Sequence, residues 1–183
     1  MLTTKQTGSF NIDRIIDRLE LSEGDKVADL GCGNFGFFVW PLAKLVGRRG
    51  LVYAVDVLKG SLDEIKRRAR RDNFPQVKPI WSDLEIFKAT PIESSSLEAA
   101  LLVNVLHQSK QKASILREAS RLLKNGGRLA VIEWSDADTP LGPDTASRIR
   151  RESLKATAIK LGLAIQSEFI ASPYHYGVIL IKL

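Results

Sequence analysis

Apolar positions along the chain follow two rhythms. Ile12, Ile15, Ile16 and Leu19 recur at helical spacing and predict a helix over Asn11 to Leu19, after a polar start, Met1 to Ser9, expected to be mobile. Short apolar runs bounded by turn residues predict strands at Lys26 to Leu30, Leu51 to Asp56, Val77 to Trp81, Ala99 to Asn104 and Arg128 to Glu133. Helical patterns fall between them. One runs to about Val46, with Pro41 inside it, so a kink or a late start is expected. A second spans Leu62 to about Asn73, where Ser61 and Glu64 have capping-box spacing. A third covers Lys110 to Leu123, with Asn125-Gly126-Gly127 in the place of a C-terminal cap. After a loop from Trp134 to Asp144, a basic helix is expected from about Thr145 to Leu161.

Strands alternating with helices imply a parallel sheet with right-handed crossovers. The end of the chain breaks that rule. Leu163 to Ile170 and Tyr176 to Leu183 are separated only by Ala171-Ser172-Pro173-Tyr174-His175, which suits an antiparallel pair. The fold class is therefore α/β, with a seven-stranded, mostly parallel sheet and an antiparallel C-terminal strand. A length of 183 residues fits a single domain over 1–183, and there is no repeat or low-complexity tract.

Composition narrows the class. No apolar run approaches the ~20 residues of a membrane-spanning helix. Met1 to Phe10 lacks a signal-peptide core, and Cys32 is the only cysteine. These features exclude an internal disulfide and a cysteine-rich zinc site, and they fit a cytoplasmic location with no resident metal. The net charge is +6, and its densest run is Lys66-Arg67-Arg68-Ala69-Arg70-Arg71. On a helix such a run is chiefly a solvated face; an RNA contact is the second reading.

The chemistry centres on Asp29-Leu30-Gly31-Cys32-Gly33-Asn34-Phe35-Gly36, between a strand and a helix. Gly31-x-Gly33-x-x-Gly36 has the spacing of a dinucleotide-binding turn, where the backbone approaches a ligand without Cβ atoms in the way. Asp29 argues against a pyrophosphate there. Two unit charges at ~4 Å cost about 1 kcal/mol in water and about 4 kcal/mol at an effective dielectric near 20. An ammonium or sulfonium group would gain from the same carboxylate. Ligands of open parallel sheets bind beyond the C-terminal strand ends. That rule adds Asp56, twenty residues after Gly36, as an acceptor for two ribose hydroxyls.

Val27-Ala28-Asp29-Leu30-Gly31-Cys32-Gly33 resembles motif I of the class I S-adenosylmethionine-dependent methyltransferases, nearest the small-molecule group that includes the ubiquinone and menaquinone biosynthesis enzymes. The family's third glycine falls two residues after the second, where this chain has Phe35, with Gly36 following. The resemblance implies a Rossmann-like three-layer sandwich and S-adenosylmethionine as cofactor. It also implies an N-terminal helical segment, residues 1–22, covering the cofactor site. In the resembled family an acid at Asp83 accepts from the adenine amino group and the next amide, Leu84, reaches the ring. Backbone around Asn104 holds the methionine ammonium. With Asp29, Gly31, Cys32, Gly33 and Asp56, these complete the expected cofactor site.

The expected reaction is methyl transfer to a small-molecule acceptor. Asn104-Val105-Leu106-His107 lacks the Asn/Asp-Pro-Pro-aromatic motif of enzymes that methylate exocyclic amino groups of bases, and Cys32 lies in the cofactor loop, not where a cytosine-attacking thiol belongs. RNA methylation by way of the basic helices, a nicotinamide-dependent dehydrogenase and a non-catalytic cofactor-binding protein remain as alternatives. The hairpin topology places Tyr174 and His175 on the ligand edge, and the loop after the fifth strand adds Trp134 and Asp136 as acceptor-pocket residues. His107 is the candidate base, since its reference pKa near 6.5 lets it take a proton at neutral pH.

Overall fold

In a computed structural model that describes residues 10–139 and 142–183, the alternating runs become one seven-stranded sheet. The elements in order are α1 (Ile12–Asp17), β1 (Lys26–Leu30), α2 (Val39–Val46), β2 (Leu51–Asp56), α3 (Lys59–Arg71), β3 (Val77–Trp81) and β4 (Leu97–Val103). A 3-10 turn (Leu106–Gln108) follows, then α4 (Lys112–Leu122), β5 (Leu123–Trp134), α5 (Arg151–Lys160), β6 (Leu163–Ser172) and β7 (His175–Lys182). The spatial order is β3-β2-β1-β4-β5-β7-β6. The first five strands pair in parallel, and β7 runs antiparallel to both β5 and β6. The alternation implies the parallel sheet, and the whole is the Rossmann-like sandwich that the resemblance implies. The expectation for Met1 to Ser9 lies outside the described residues.

Period-two alternation divides the core. Along β4, Ala99 and Leu101 pack on the face covered by α1, α2 and α3, while Ala100 and Leu102 pack on the face covered by α4 and α5. The register pairs Trp134 of β5 with His175 of β7, so the hairpin turns at the sheet edge where β1, β2 and β4 end. In α3 the buried side chains are Ser61, Leu62, Ile65 and Ala69, and Lys66, Arg67, Arg70 and Arg71 face solvent.

Three helix boundaries differ from the sequence reading, and a fourth, at Pro41, resolves between the two outcomes expected. The α3 helix starts at Lys59 with Leu58 as its N-cap, so Ser61 caps nothing; its hydroxyl bonds Asn34 Oδ1 in the glycine loop. Gly126 and Gly127 end no helix. The carbonyls of Arg121 and Leu122, at the end of α4, accept from Ser95 and Ser96 amides, and the chain passes straight into β5. The two glycines sit where the β4–β5 register slips, Leu97 pairing with Leu123 but Ala99 with Arg128. The last helix begins at Arg151, not near Thr145, because Arg148 is used to pin the preceding loop through Ser135 and Ala137 carbonyls, each 2.8 Å away. Pro41 lies in the first turn of α2, where its missing N–H costs no helical bond, so the helix starts late and is not kinked.

One buried pair shapes the ligand edge from behind. Glu118 is fully buried on α4; it accepts from Lys88 and Thr90 amides at 2.9 and 3.2 Å and from Arg121 at 2.7 and 2.9 Å. Burial pushes its carboxyl up, but Arg121 and the Lys88 and Thr90 donors outweigh that and hold it below the usual range. The loop after β3 is thereby clamped, and Thr90 in turn bonds Ser82 at 3.0 Å. Removing one partner of a buried pair strands the other. Glu118→Ala should therefore lower the unfolding free energy by about 3–5 kcal/mol in urea titration. A loss below about 1 kcal/mol would show the clamp to be dispensable.

Candidate active site

The turn after β1 is tight because two consecutive amides, Gly31 and Cys32, both donate to the Val55 carbonyl, at 2.7 and 3.0 Å. Gly31 adopts φ +88°, and a Cβ there would come within 2.5 Å of a Val105 methyl. Asp56, at the end of β2, fixes the next step. Its two oxygens accept from Gly33 and Leu58 amides at 2.9 and 2.8 Å, tying the glycine turn to the start of α3. The displaced third glycine has a local cause. Gly36 has φ +55°, and a Cβ there would stand 2.6 Å from Ile65 of α3, while Trp40 Nε1 donates to the Phe35 carbonyl at 2.8 Å.

Two cavities adjoin this turn. One of about 500 Å³ is bordered by Asp56, Ser82, Asp83, Leu84 and Val105 among others. The other, about 370 Å³, is bordered by Phe10, Ile12, Asp29, Cys32, Phe37, Phe38, Val103 and Asn104. Gly31, Gly33 and Gln108 border both, so the pair forms a groove across the ends of the central strands. All eight residues expected to hold a cofactor lie on this groove.

The groove is polar at chosen points. Asp29 is 3% exposed, and its carboxyl is pushed up to about 7, first by burial and then by the neighbouring Asp56 charge. No basic side chain opposes that shift. Asn104 sits in the left-handed region at φ +56°; its amide donates to Ile132 O and its carbonyl accepts from Gln108 Nε2, yet its buried Oδ1 has no partner. Burial, together with Asp29 and Asp56, raises the Cys32 thiol and keeps it protonated. Asp83 accepts from the Glu85 amide at 2.9 Å through one oxygen.

Behind the smaller cavity lies a second polar cluster. Glu133, fully buried at the end of β5, accepts from the Leu106 amide at 2.6 Å and from His107 Nδ1 at 3.0 Å. The His175 ring packs 4.1 Å from Trp134 and 4.7 Å from Phe10, centroid to centroid. Its Nδ1 meets Ser172 Oγ at 2.8 Å, its Nε2 is buried without a partner, and burial lowers its pKa to about 4, so it is neutral. His107, Trp134, Tyr174 and His175 do not border either cavity, Phe10 standing on the smaller one with His175 packed on it; Asp136 is exposed. The sequence reading missed Glu133 and the wall residues Phe10, Phe37 and Phe38. An acid closing an otherwise apolar strand was the available signal for Glu133. The wall residues had none, since their apolar pattern is that of ordinary core.

S-adenosylmethionine fits this donor set. Its ammonium and sulfonium would offset the uncompensated Asp29 carboxylate, and a donor would satisfy Asn104 Oδ1. Its ribose hydroxyls could use the remaining lone pairs of Asp56. At Gly33 nothing lies within 4 Å of the Cβ position, which leaves room for a ligand. Among the described residues no group of three or more His, Cys, Asp or Glu side chains is placed to hold a metal ion.

Comparison with known proteins agrees. A 2-phytyl-1,4-naphtoquinone methyltransferase from Thermosynechococcus vestitus is 28% identical over 155 residues, covering 85% of this chain and 66% of the relative. A 27-O-demethylrifamycin SV methyltransferase from Amycolatopsis mediterranei is 26% identical over 153 residues, covering 80% and 53%. The chain spans 33% to 66% of the length of these and similar curated relatives. In structure, a SAM-dependent methyltransferase from Aquifex aeolicus superposes with a TM-score of 0.85 at 22% identity, covering 95% of this chain and 90% of that one. Neither the RNA nor the nicotinamide reading finds support among these relatives. The methyltransferase-domain family model matches residues 21–168, and the chain belongs to that family.

Proposed function

We propose that the chain is a methyltransferase that uses S-adenosylmethionine to methylate a small, largely apolar organic acceptor. The observation that carries this reading is the buried carboxylate of Asp29, facing a cavity with no counter-charge. Bound S-adenosylmethionine supplies an electrophilic methyl group on a positively charged sulfur. The chain's own part is to bind, orient and keep dry. Asp56, Asp83 and the Leu84 amide take the adenosine end in the larger cavity, and Asp29, Gly31, Cys32, Gly33 and Asn104 take the amino-acid end. The acceptor then lies against Phe10, Ile12, Phe37, Phe38 and Val103, and alignment in a dry site provides most of the rate. Phe10 and Ile12 on the smaller cavity support the assignment of residues 1–22 as its cover. The quinone and rifamycin substrates in the relatives' names point to an acceptor of this apolar, oxygen-bearing kind. A cytoplasmic location belongs to the same reading, supported by a lone, buried thiol.

The basic test is calorimetry. Adenosylhomocysteine should bind, and NAD should bind far more weakly. Asp56→Ala should weaken adenosylhomocysteine by about 1–3 kcal/mol. Tighter binding of NAD would overturn the assignment.

Asp29 adds a pH signature. A carboxyl raised in the fold favours folding while protonated, so that stability is present below the unfolded pKa and is lost as pH rises through about 7. Ligand cations reverse the preference. Adenosylhomocysteine should bind more tightly at pH 8 than at pH 6, and Asp29→Asn should remove that difference while raising the melting temperature of the free protein at pH 8. An unchanged pH profile in Asp29→Asn would exclude the carboxylate as the titrating group.

For proton transfer we assign His107, which is positioned by Glu133 and lies on the 3-10 turn between Val105 and Gln108, both of which border the groove. A proton on Nδ1 donated to Glu133 leaves the lone pair on Nε2. With labelled methyl donor and a panel of hydroquinone and polyketide acceptors, His107→Ala should reduce turnover by about 100-fold or more while adenosylhomocysteine affinity stays nearly intact. Glu133→Gln should shift the pH–rate profile instead of abolishing activity. Full turnover in both variants would place the base elsewhere.

A further inference from the structure

The outer side of the glycine loop carries apolar groups in water. Phe35 and Phe37 are 67% and 64% exposed, with ring centroids 5.4 Å apart, and Leu45 of α2 is exposed beside them. Their position is held by the fold. The Phe35 carbonyl is bonded by Trp40, and Gly36 is pressed against α3, which fixes the backbone from which Phe35 projects. Two surface clefts, about 710 and 770 Å³, flank Phe35, and Trp40 and Arg68 border both.

The clefts are basic. Lys59 and Arg71 border the first and Lys44 the second, with Arg68 between them. Lys44 and Lys59 pair with no carboxylate among the described residues. Arg68 and Arg71 share the single carboxylate of Asp72, and the cleft acid Glu64 is taken by Arg67. Asp13 is the remaining acid, so positive charge predominates. Arg68 also lies 4.3 Å over the Trp40 ring.

Protruding aromatic rings flanked by an excess of cations, two of them without a carboxylate among the described residues, match the two layers of an anionic membrane surface. The rings enter the acyl boundary and the cations meet phosphate. We propose that this face docks the chain on an anionic lipid bilayer. Phe37 borders both the outer cleft and the inner cavity. An apolar acceptor can therefore move from the lipid to the methyl-donor site past one ring, without crossing water. That delivery role rests on the methyltransferase reading; the docking itself does not.

The test is co-sedimentation of the full chain with phosphatidylcholine vesicles and with vesicles of phosphatidylcholine and phosphatidylglycerol. The chain should sediment with the anionic vesicles only, and less at high salt. Lys44→Glu/Lys59→Glu should weaken partitioning by about fivefold or more per charge. Phe35→Ser/Leu45→Ser should weaken it roughly tenfold. Melting temperature verifies that each variant is folded, and if the second does not fold, Phe35→Ser alone, at a ring 67% exposed, takes its place. Absence of vesicle binding overturns the proposal, whether the true partner is a protein or none. So does loss on charge reversal with no loss on removing Phe35 and Leu45, which would mark general attraction of a basic protein. Adenosylhomocysteine binding without vesicle binding removes the docking face alone, whereas vesicle binding without adenosylhomocysteine binding removes the methyltransferase reading and leaves the docking face.

Discussion

A carboxylate buried without a counter-charge is the constraint around which this molecule is arranged. Asp29 is the penultimate residue of β1, an interior strand flanked by β2 and β4, at a point 3% exposed to solvent. Burial disfavours its charge, and Asp56 nearby disfavours it further. A fold would not gain from that arrangement by itself. A cationic ligand would, because each of its positive groups recovers energy that the free protein has forgone. Asn104, strained into the left-handed region with its Oδ1 unsatisfied, repeats the pattern on the neighbouring strand end.

The rest of the site is scaffolding for that end of the sheet. Asp56 spends one lone pair of each oxygen on protein amides, which fixes the glycine turn relative to α3 and still leaves lone pairs for a ligand. Glu118 and Arg121 clamp the loop that bears Asp83 and Leu84 from the far side of the sheet. Glu133 ties the 3-10 turn after β4 to the end of β5, and so holds His107 and the strand end that carries Asn104 in one register. Of the four buried acids among the described residues, Asp56, Glu118 and Glu133 each accept hydrogen bonds, and Asp29 is left without a donor.

The same glycine loop that borders the groove also shapes the outer surface. The extra residue in the glycine motif pushes Phe35 outward and brings Gly36 against Ile65. Because Phe37 borders both the inner cavity and the outer cleft, one side chain joins the groove to the apolar exterior.

The sequence by itself determined the strands, their alternation with helices and the eight residues that the fold gathers on one groove. Those features are local. Period-two and helical spacings report which side of an element is buried, and a glycine turn next to an acid reports its chemistry within eight residues. Helix ends were less legible where a distant group did the work of a cap. Ser61 looks like a cap in sequence but bonds Asn34 across 27 residues, and the end of α4 is satisfied by Ser95 and Ser96 amides, leaving Gly126 and Gly127 to the strand slip. The acceptor side was decided by tertiary structure alone. His175 and Trp134 reach the ligand edge as the topology requires, but Phe10, from the other end of the chain, packs across His175 and takes the place on the cavity wall. No spacing rule can order two side chains that lie 165 residues apart and compete for the same surface.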